Sequence, residues 1–96
     1  MPEATRLNDN CTGHDACPAK PLVTASQNVF INSRGAGRIT DKYETHGCLV
    51  HAPHQDNINA GSGTVFINSL KAARIGDAVS LGGSVAEGSD NVFIGD

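Results

Sequence analysis

The feature that most constrains this chain is an internal repeat. One short apolar element occurs three times, as SQNVFIN at 26–32, SGTVFIN at 62–68 and SDNVFIG at 89–95. A second element, R-[LI]-x-D, precedes each copy and begins at Arg6, Arg38 and Arg74. Repeated units of this kind bury their apolar faces against one another. We therefore interpret residues 1–96 as one domain, with units at about 6–32, 38–68 and 74–95 around a pseudo-threefold axis.

Residue types within each unit predict short strands. Val-Phe-Ile combines β-branched and aromatic residues and is bounded by Ser, Asn or Gly, which is typical of a strand between turns. No window of the sequence has a sustained helical period. The fold class is therefore predicted to be all-β. Alternation along a strand places Val29 and Ile31 on one face and Phe30 on the other, and we expect the Val/Ile faces to fill the interior.

Composition excludes several functional classes. The net charge of −3 lacks the basic excess of a nucleic-acid-binding protein. No apolar run approaches the ~20 residues of a membrane span, and the first ten residues lack the features of a signal peptide. An odd count of three cysteines without an export signal argues against a disulfide framework. A Cys11–Cys17 pair remains an alternative.

Histidine and cysteine are confined to the loops of the first two units. The first loop carries Cys11, His14 and Cys17, the second carries His46, Cys48, His51 and His54, and the third carries neither residue type. If the units surround an axis, these loops project from the same end and converge there. Imidazole and thiolate donors favour zinc over magnesium or calcium. We therefore predict one structural zinc shared between the two loops, with iron not excluded.

Two other functions are consistent with the same residues. A thiol hydrolase would use Cys48 with a neighbouring histidine, and Asp56 would orient the base. A stand-alone zinc-binding interaction module is the other alternative. Nothing in the sequence resembles a strained nucleophile turn or an oxyanion cradle, so we predict that the chain is not an enzyme and has no small-molecule substrate.

The combined motifs resemble the PAAR-repeat family. The resemblance rests on the tripled VFI strands, AARIGD at 72–77, CTGH at 11–14, HGC at 46–48 and HAPH at 51–54, and it covers nearly the whole chain. The sequence departs from the family pattern at Lys71, where the motif has Pro, and at Leu81, where many relatives have Cys. The resemblance implies a small β cone with a metal site near its apex.

The resemblance also implies a ligand set and a partner. The expected zinc ligands are His14, His46, Cys48 and His54, with His51 as the alternate. The partner implied is the trimeric β-helical spike of a contractile injection machine, capped by one copy of this chain that assists membrane puncture and contacts the target membrane transiently. The expected spike-binding residues lie in the connectors after the first two strands: Ser33, Arg34, Gly35, Ser69, Leu70 and Lys71.

Localisation follows from the type of machine. A phage virion, at the tip of the tail baseplate spike, is the first expectation. The alternative is the bacterial cytoplasm followed by export through type VI secretion. The sequence does not distinguish these two.

Overall fold

The computed structural model describes residues 1–14, 17–48 and 52–96. It shows an all-β protein of 37 × 24 × 22 Å. Two short antiparallel hairpins pair strand β1 (Phe30–Ile31) with β2 (Arg34–Gly35) and β3 (Phe66–Ile67) with β4 (Leu70–Lys71). One 3-10 turn spans Ser80–Gly82, and most other pairing consists of single β-bridges. Among the described residues no helix has the length and apolar character needed to cross a membrane.

The hairpin turns are formed by Asn-Ser pairs. Asn32 and Ser33 both have positive φ, of 53° and 66°, and Asn68 and Ser69 repeat this at 54° and 67°. Two consecutive left-handed residues characterise the type I′ turn, whose twist matches that of the paired strands. The same sequence, FINS, therefore forms the same hairpin twice.

The third hairpin is assembled from both ends of the chain. Glu3 forms a bridge with Phe93, and the Ala4 amide donates to Val92 O at 3.0 Å. The Ser89 amide donates to Ala4 O, as the Ser26 amide does to Ala36 O. The first residues of the chain thus take the place that the connectors occupy after the first two strands.

Closure of the three units is shown by a ring of backbone hydrogen bonds. The Gly37 amide donates to Thr5 O, the Thr5 amide donates to Ala73 O and the Ala73 amide donates to Gly37 O, at 3.0–3.1 Å. All three residues are buried. The three bonds relate equivalent positions cyclically, so they mark the pseudo-threefold axis.

Each R-[LI]-x-D element forms the same turn. The Asp amide donates to the Arg carbonyl, and the residue between them has positive φ in each copy: Asn8, Thr40 and Gly76. In each copy the Arg amide and Nε donate to one Asp oxygen and Nη2 donates to the other, at 2.8–3.1 Å. The hydrogen-bonded carboxylate raises the pKa of each of these arginines above its usual value. The motif is therefore a repeated turn that its own Arg–Asp pair closes.

Two apolar clusters lie in succession along the axis. One, between the ring and the loops, contains Cys11, Leu22, Tyr43, Ile58, Ala73, Val79 and Val85. The other, beside the hairpins, contains Ala4, Ile31, Ala36, Ile67, Ala72 and Ile94. The expectation that Val29 and Val65 fill the interior is wrong, since each is 37% exposed. Their strands pair over two residues only, so the buried face includes the isoleucine and ends before the valine.

Candidate metal centre

Two long loops carry the candidate metal ligands. The first loop runs from Asn10 to Pro21 and the second from Lys42 to Asn57, and a bridge closes each loop at its base. Within the first loop, the backbones of His14 and Cys17 exchange hydrogen bonds of 3.2 and 2.8 Å. The chain therefore reverses direction within each loop, and the histidines lie on the short paired segment next to the reversal.

Gly13 permits the reversal of the chain in the first loop. Its φ is +74°, and a side-chain carbon there would lie 2.5 Å from Cys17 O. A Cβ cannot be accommodated at that distance, so the tight approach of the backbone that brings His14 into the site requires glycine.

The second loop contributes two histidines from one bridge. The amides of His46 and His54 donate to each other's carbonyls at 2.9 and 2.8 Å. Residues directly opposed in an antiparallel pair project from the same face, so both imidazoles reach the same point. Asp56 follows His54 by two residues and returns to that face.

These side chains form a compact cluster, which we call the His–Asp group: His14, His46, His54 and Asp56. The three Nε2 atoms are 3.0 Å from one another. The Asp56 carboxylate oxygens lie 3.0–3.2 Å from them. His14, His46 and Asp56 are buried, and His54 is half-buried at the edge of the cluster. Three imidazole nitrogens and one carboxylate therefore converge, with one potential ligand atom from each residue inside a span of 4.8 Å.

The outer hydrogen bonds of the imidazoles fix which nitrogen faces inward as an acceptor. His46 Nδ1 lies 2.8 Å from Pro18 O, and His54 Nδ1 lies 2.8 Å from Ala52 O. A carbonyl only accepts, so each Nδ1 carries a hydrogen, and Nε2 is the ring nitrogen available to bind a metal ion. Acceptor lone pairs and a carboxylate converging within 3.2 Å are held together by a shared proton or by a metal ion, and imidazole nitrogen and carboxylate oxygen are both zinc ligands.

The dimensions of the His–Asp group fit a small metal ion. At their 3.0 Å spacings the three Nε2 atoms leave a point about 2.0 Å from each of them, which is the length of a zinc–nitrogen bond. The Asp56 carboxylate lies 3.0–3.2 Å from the same nitrogens, on hand as a fourth ligand. Three imidazoles and one carboxylate are suitable zinc donors. The group could therefore hold a metal ion with four protein ligands.

The third loop supports the same site indirectly. The Ser80 hydroxyl donates to Asp56 Oδ1 at 3.2 Å, and the Asn57 amide donates back to Ser80 Oγ at 3.1 Å. A hydrogen bond of this kind orients a ligating carboxylate. All three loops thus contribute to positioning the His–Asp group, although only two supply its members.

The placement of the sequence-predicted ligands differs at one position. The structure brings His14, His46 and His54 together, and it places Cys48 in a disulfide with Cys17. Asp56, considered in the sequence only as a base-orienting residue, stands in the fourth position. Its spacing in HQD, two residues after a histidine in extended chain, is the signal that would have found it. His51 lies outside the described residues.

The cysteines also differ from expectation. The alternative pair Cys11–Cys17 does not form, because Cys11 is a buried free thiol in the core beside the ring. It occupies the position that Tyr43 and Val79 occupy in the other units, two residues after the turn aspartate. The disulfide instead joins the two metal-site loops. Cys48 consequently has no thiolate in this structure to act as the nucleophile of a hydrolase.

A family model for the PAAR motif matches residues 12–87 of this chain. The chain belongs to the PAAR-motif family. The match covers the first metal-site loop from Thr12 onward, the whole second loop, the first two hairpins and the Arg-Asp turns of the second and third units. The β cone with its three units and apical loops is therefore both the observed fold and the fold that the sequence resemblance implied.

Two curated relatives are similar to this PAAR-motif chain, both from Pseudomonas aeruginosa. They are the NAD(P)(+) glycohydrolase toxin Tse6 and the (p)ppApp synthetase toxin Tas1, each 38% identical over 79 residues. The matched region is 77% of this chain and 18% of each relative. The chain thus spans less than a fifth of the length of these relatives.

The predicted spike-binding residues lie on or beside the two hairpins. Ser33, Ser69 and Lys71 are exposed, Arg34 and Leu70 are half-buried, and Gly35 is buried. The Arg34 guanidinium donates to Leu7 O at 2.8 Å and to Asp9 Oδ1 at 3.0 Å, so it is engaged within the chain. Ser33, Ser69, Leu70 and Lys71 are therefore the ones whose side chains remain accessible.

Proposed function

We propose that this chain is a structural spike-tip protein that caps the trimeric β-helical spike of a contractile injection machine. The observation that carries the proposal is the cyclic hydrogen-bond ring of Thr5, Gly37 and Ala73, which makes one chain threefold in its backbone. A trimer ends in three equivalent strand edges that need covering. A single pseudo-threefold chain matches such an end with one copy, so the stoichiometry proposed is three spike chains to one cap.

The hairpin end is the proposed docking surface. Its three hairpins are related by the axis, and none of their residues belongs to the His–Asp group. Ile31, Ile67 and Ile94 lie at its centre, each 7–9% exposed. Ser33, Arg34, Gly35, Ser69, Leu70 and Lys71 form the accessible or supporting parts of its first two hairpins. An apolar centre with a polar margin is the usual composition of a protein interface.

The metal proposed for the His–Asp group is one structural zinc. Three imidazoles and Asp56 would supply four ligands, which leaves no position for a reacting water. Zinc bound there would add folding free energy to loops that have little apolar burial of their own. The resulting rigid apex would bear the load of membrane puncture, with no catalytic turnover and no nucleic-acid or small-molecule partner.

Export by type VI secretion is the localisation that we propose. Family membership and the two toxin relatives support it over a phage virion, because both relatives are bacterial proteins. The activities in the names of these relatives are theirs. For this chain we propose the spike-tip role alone.

Binding to a purified trimeric β-helical spike protein of a type VI system tests the docking surface. We expect Leu70→Asp to weaken binding at least tenfold while zinc content remains at one per chain, because a carboxylate would enter the apolar interface. Leu81→Asp is the matched control, since Leu81 is 57% exposed in the third loop. Loss of zinc with an intact spike complex would show that the two ends have been assigned in reverse.

The mass of the complex tests the stoichiometry. The isolated chain should behave as a monomer of 9.9 kDa, and the complex should contain one copy for three spike chains. A stable homotrimer of the cap, or a complex with equal numbers of both chains, would contradict the interpretation of the repeat.

A further inference from the structure

The two metal-site loops are joined by more than the His–Asp group. His14 from the first loop meets His46, His54 and Asp56 from the second. In addition, the disulfide connects Cys17 of the first loop to Cys48 of the second. Metal binding and disulfide formation would therefore each hold the same two segments of chain together.

The disulfide is adjacent to the His–Asp group along both loops. Cys17 is the backbone partner of His14, with which it exchanges two hydrogen bonds, and Cys48 lies two residues after His46. The next residue of the first loop, Pro18, provides the carbonyl that fixes the His46 ring at 2.8 Å. Any movement of the Cys17 segment would consequently displace both His14 and the carbonyl that orients His46.

We propose that the Cys17–Cys48 disulfide is a redox-sensitive clasp coupled to metal binding, so that each state stabilises the other. The inference rests on the metal site proposed above. Closing the disulfide removes no donor from the ion, because neither cysteine belongs to the His–Asp group. It fixes the loops in the arrangement that the ion requires, and preorganisation of this kind strengthens binding by reducing the ordering cost.

The redox step is a thiol–disulfide exchange. Cys17 and Cys48 thiols give up two protons and two electrons to a disulfide oxidant, such as glutathione disulfide or an oxidised thiol oxidoreductase, which leaves as two thiols. In a reducing compartment the metal alone would hold the loops. After transfer to an oxidising compartment the disulfide closes over the same site and secures it against loss of the ion.

Thermodynamic reciprocity provides the test. If the disulfide raises zinc affinity by some factor, zinc must shift the thiol–disulfide equilibrium by the same factor. We expect oxidised protein to bind zinc about tenfold more tightly than reduced protein in competition with a chromophoric chelator, since ordering two or three side chains costs about that much. Saturating zinc should then lower the reduction potential of the disulfide by about 30 mV in glutathione buffers.

Two variants isolate the clasp. Cys17→Ser/Cys48→Ser should bind zinc as weakly as reduced wild type, and its affinity should no longer respond to reductant. Cys11→Val is the control, because Cys11 is the third, buried thiol and valine stands at the equivalent position 79. It should retain the full redox dependence of zinc affinity.

Three outcomes would overturn the coupling. They are zinc affinities equal within twofold in both redox states, tighter binding by the reduced protein, and the absence of a Cys17–Cys48 peptide from oxidised protein by mass spectrometry. Tighter binding when reduced would indicate thiolate ligation instead. Absence of zinc binding in both states would refute the metal site itself, which distinguishes that failure from failure of the coupling alone.

Discussion

Replacing Asp56 by Asn tests the fourth ligand directly. The Asp56 carboxylate is 2% exposed and lies 3.0–3.2 Å from three imidazole nitrogens. Asn preserves the shape of the side chain and an oxygen that can accept from Ser80, but it removes the one negative charge of the His–Asp group. We therefore expect Asp56→Asn to weaken zinc binding while the fold is retained.

The size of the effect can be worked from the site and the chain length. Altering groups that only support metal ligands costs about 10–100-fold in affinity, so loss of the anionic ligand should reach about 100-fold, or ~2.7 kcal/mol. Zinc at 1,000 times the wild-type Kd stabilises the protein by about 4.1 kcal/mol, and the variant would gain about 1.4 kcal/mol at that concentration. Unfolding 96 residues releases about 0.2 kcal/mol/K of entropy. The zinc-dependent rise in Tm should thus fall from about 20 °C to about 7 °C.

Calorimetry of both proteins, oxidised, with a chelator and with zinc, provides the measurement. In chelator the two should melt within about 5 °C of each other, because a neutral hydrogen bond to Ser80 replaces one to a carboxylate. Glu44→Gln is the control: it removes a half-exposed carboxylate from the same loop, paired with Lys20 at 3.3 Å, outside the His–Asp group. An undiminished zinc response in Asp56→Asn would refute Asp56 as a ligand and return the fourth position to His51.

The remaining predictions concern the core. Gly37→Ala should lower the free energy of unfolding by about 1–3 kcal/mol in denaturant unfolding, because its Cβ would lie 2.7 Å from Thr5 Cγ2. Gly63→Ala is the control: the nearest atom to its Cβ would be 3.9 Å away, so it should change the free energy of unfolding by under about 0.5 kcal/mol. Equal effects of the two substitutions would contradict the ring geometry. Tyr43→Phe should stabilise by about 1 kcal/mol, because the buried Tyr43 hydroxyl, whose pKa is raised by burial, has no hydrogen-bond partner among the described residues. A loss of stability in Tyr43→Phe would show that this hydroxyl is satisfied.

The repeated elements could be interpreted from the sequence because their structure is local. The R-[LI]-x-D turn is closed by a side chain three residues away, and the FINS hairpins by a turn of two residues. The assembly of the third hairpin could not be predicted in this way. Its two halves, around Glu3 and Phe93, lie at opposite ends of the sequence, and only closure of the ring brings them together.

The candidate metal site also has one part that the sequence predicted and one part that it did not. Confinement of histidine to two equivalent loops predicted that His14 would meet His46 and His54, since symmetry alone brings such loops to one end. The choice between Asp56 and Cys48 depended on which way each residue faces after the loops turn. That direction is set by the His46–His54 bridge and by the pairing of Cys17 with His14. These contacts form within folded loops, and no periodic pattern in the sequence indicates them.

The sequence by itself determined the threefold architecture, the all-β class and the end of the molecule at which imidazoles gather, because each follows from a repeated local pattern. Only the tertiary structure decided the composition of the His–Asp group, the Cys17–Cys48 bond and the burial of Cys11. The three cysteines are chemically identical as residues. Their roles as core filler and as a covalent link differ because backbone closure places one beside the axis and the other two between the loops.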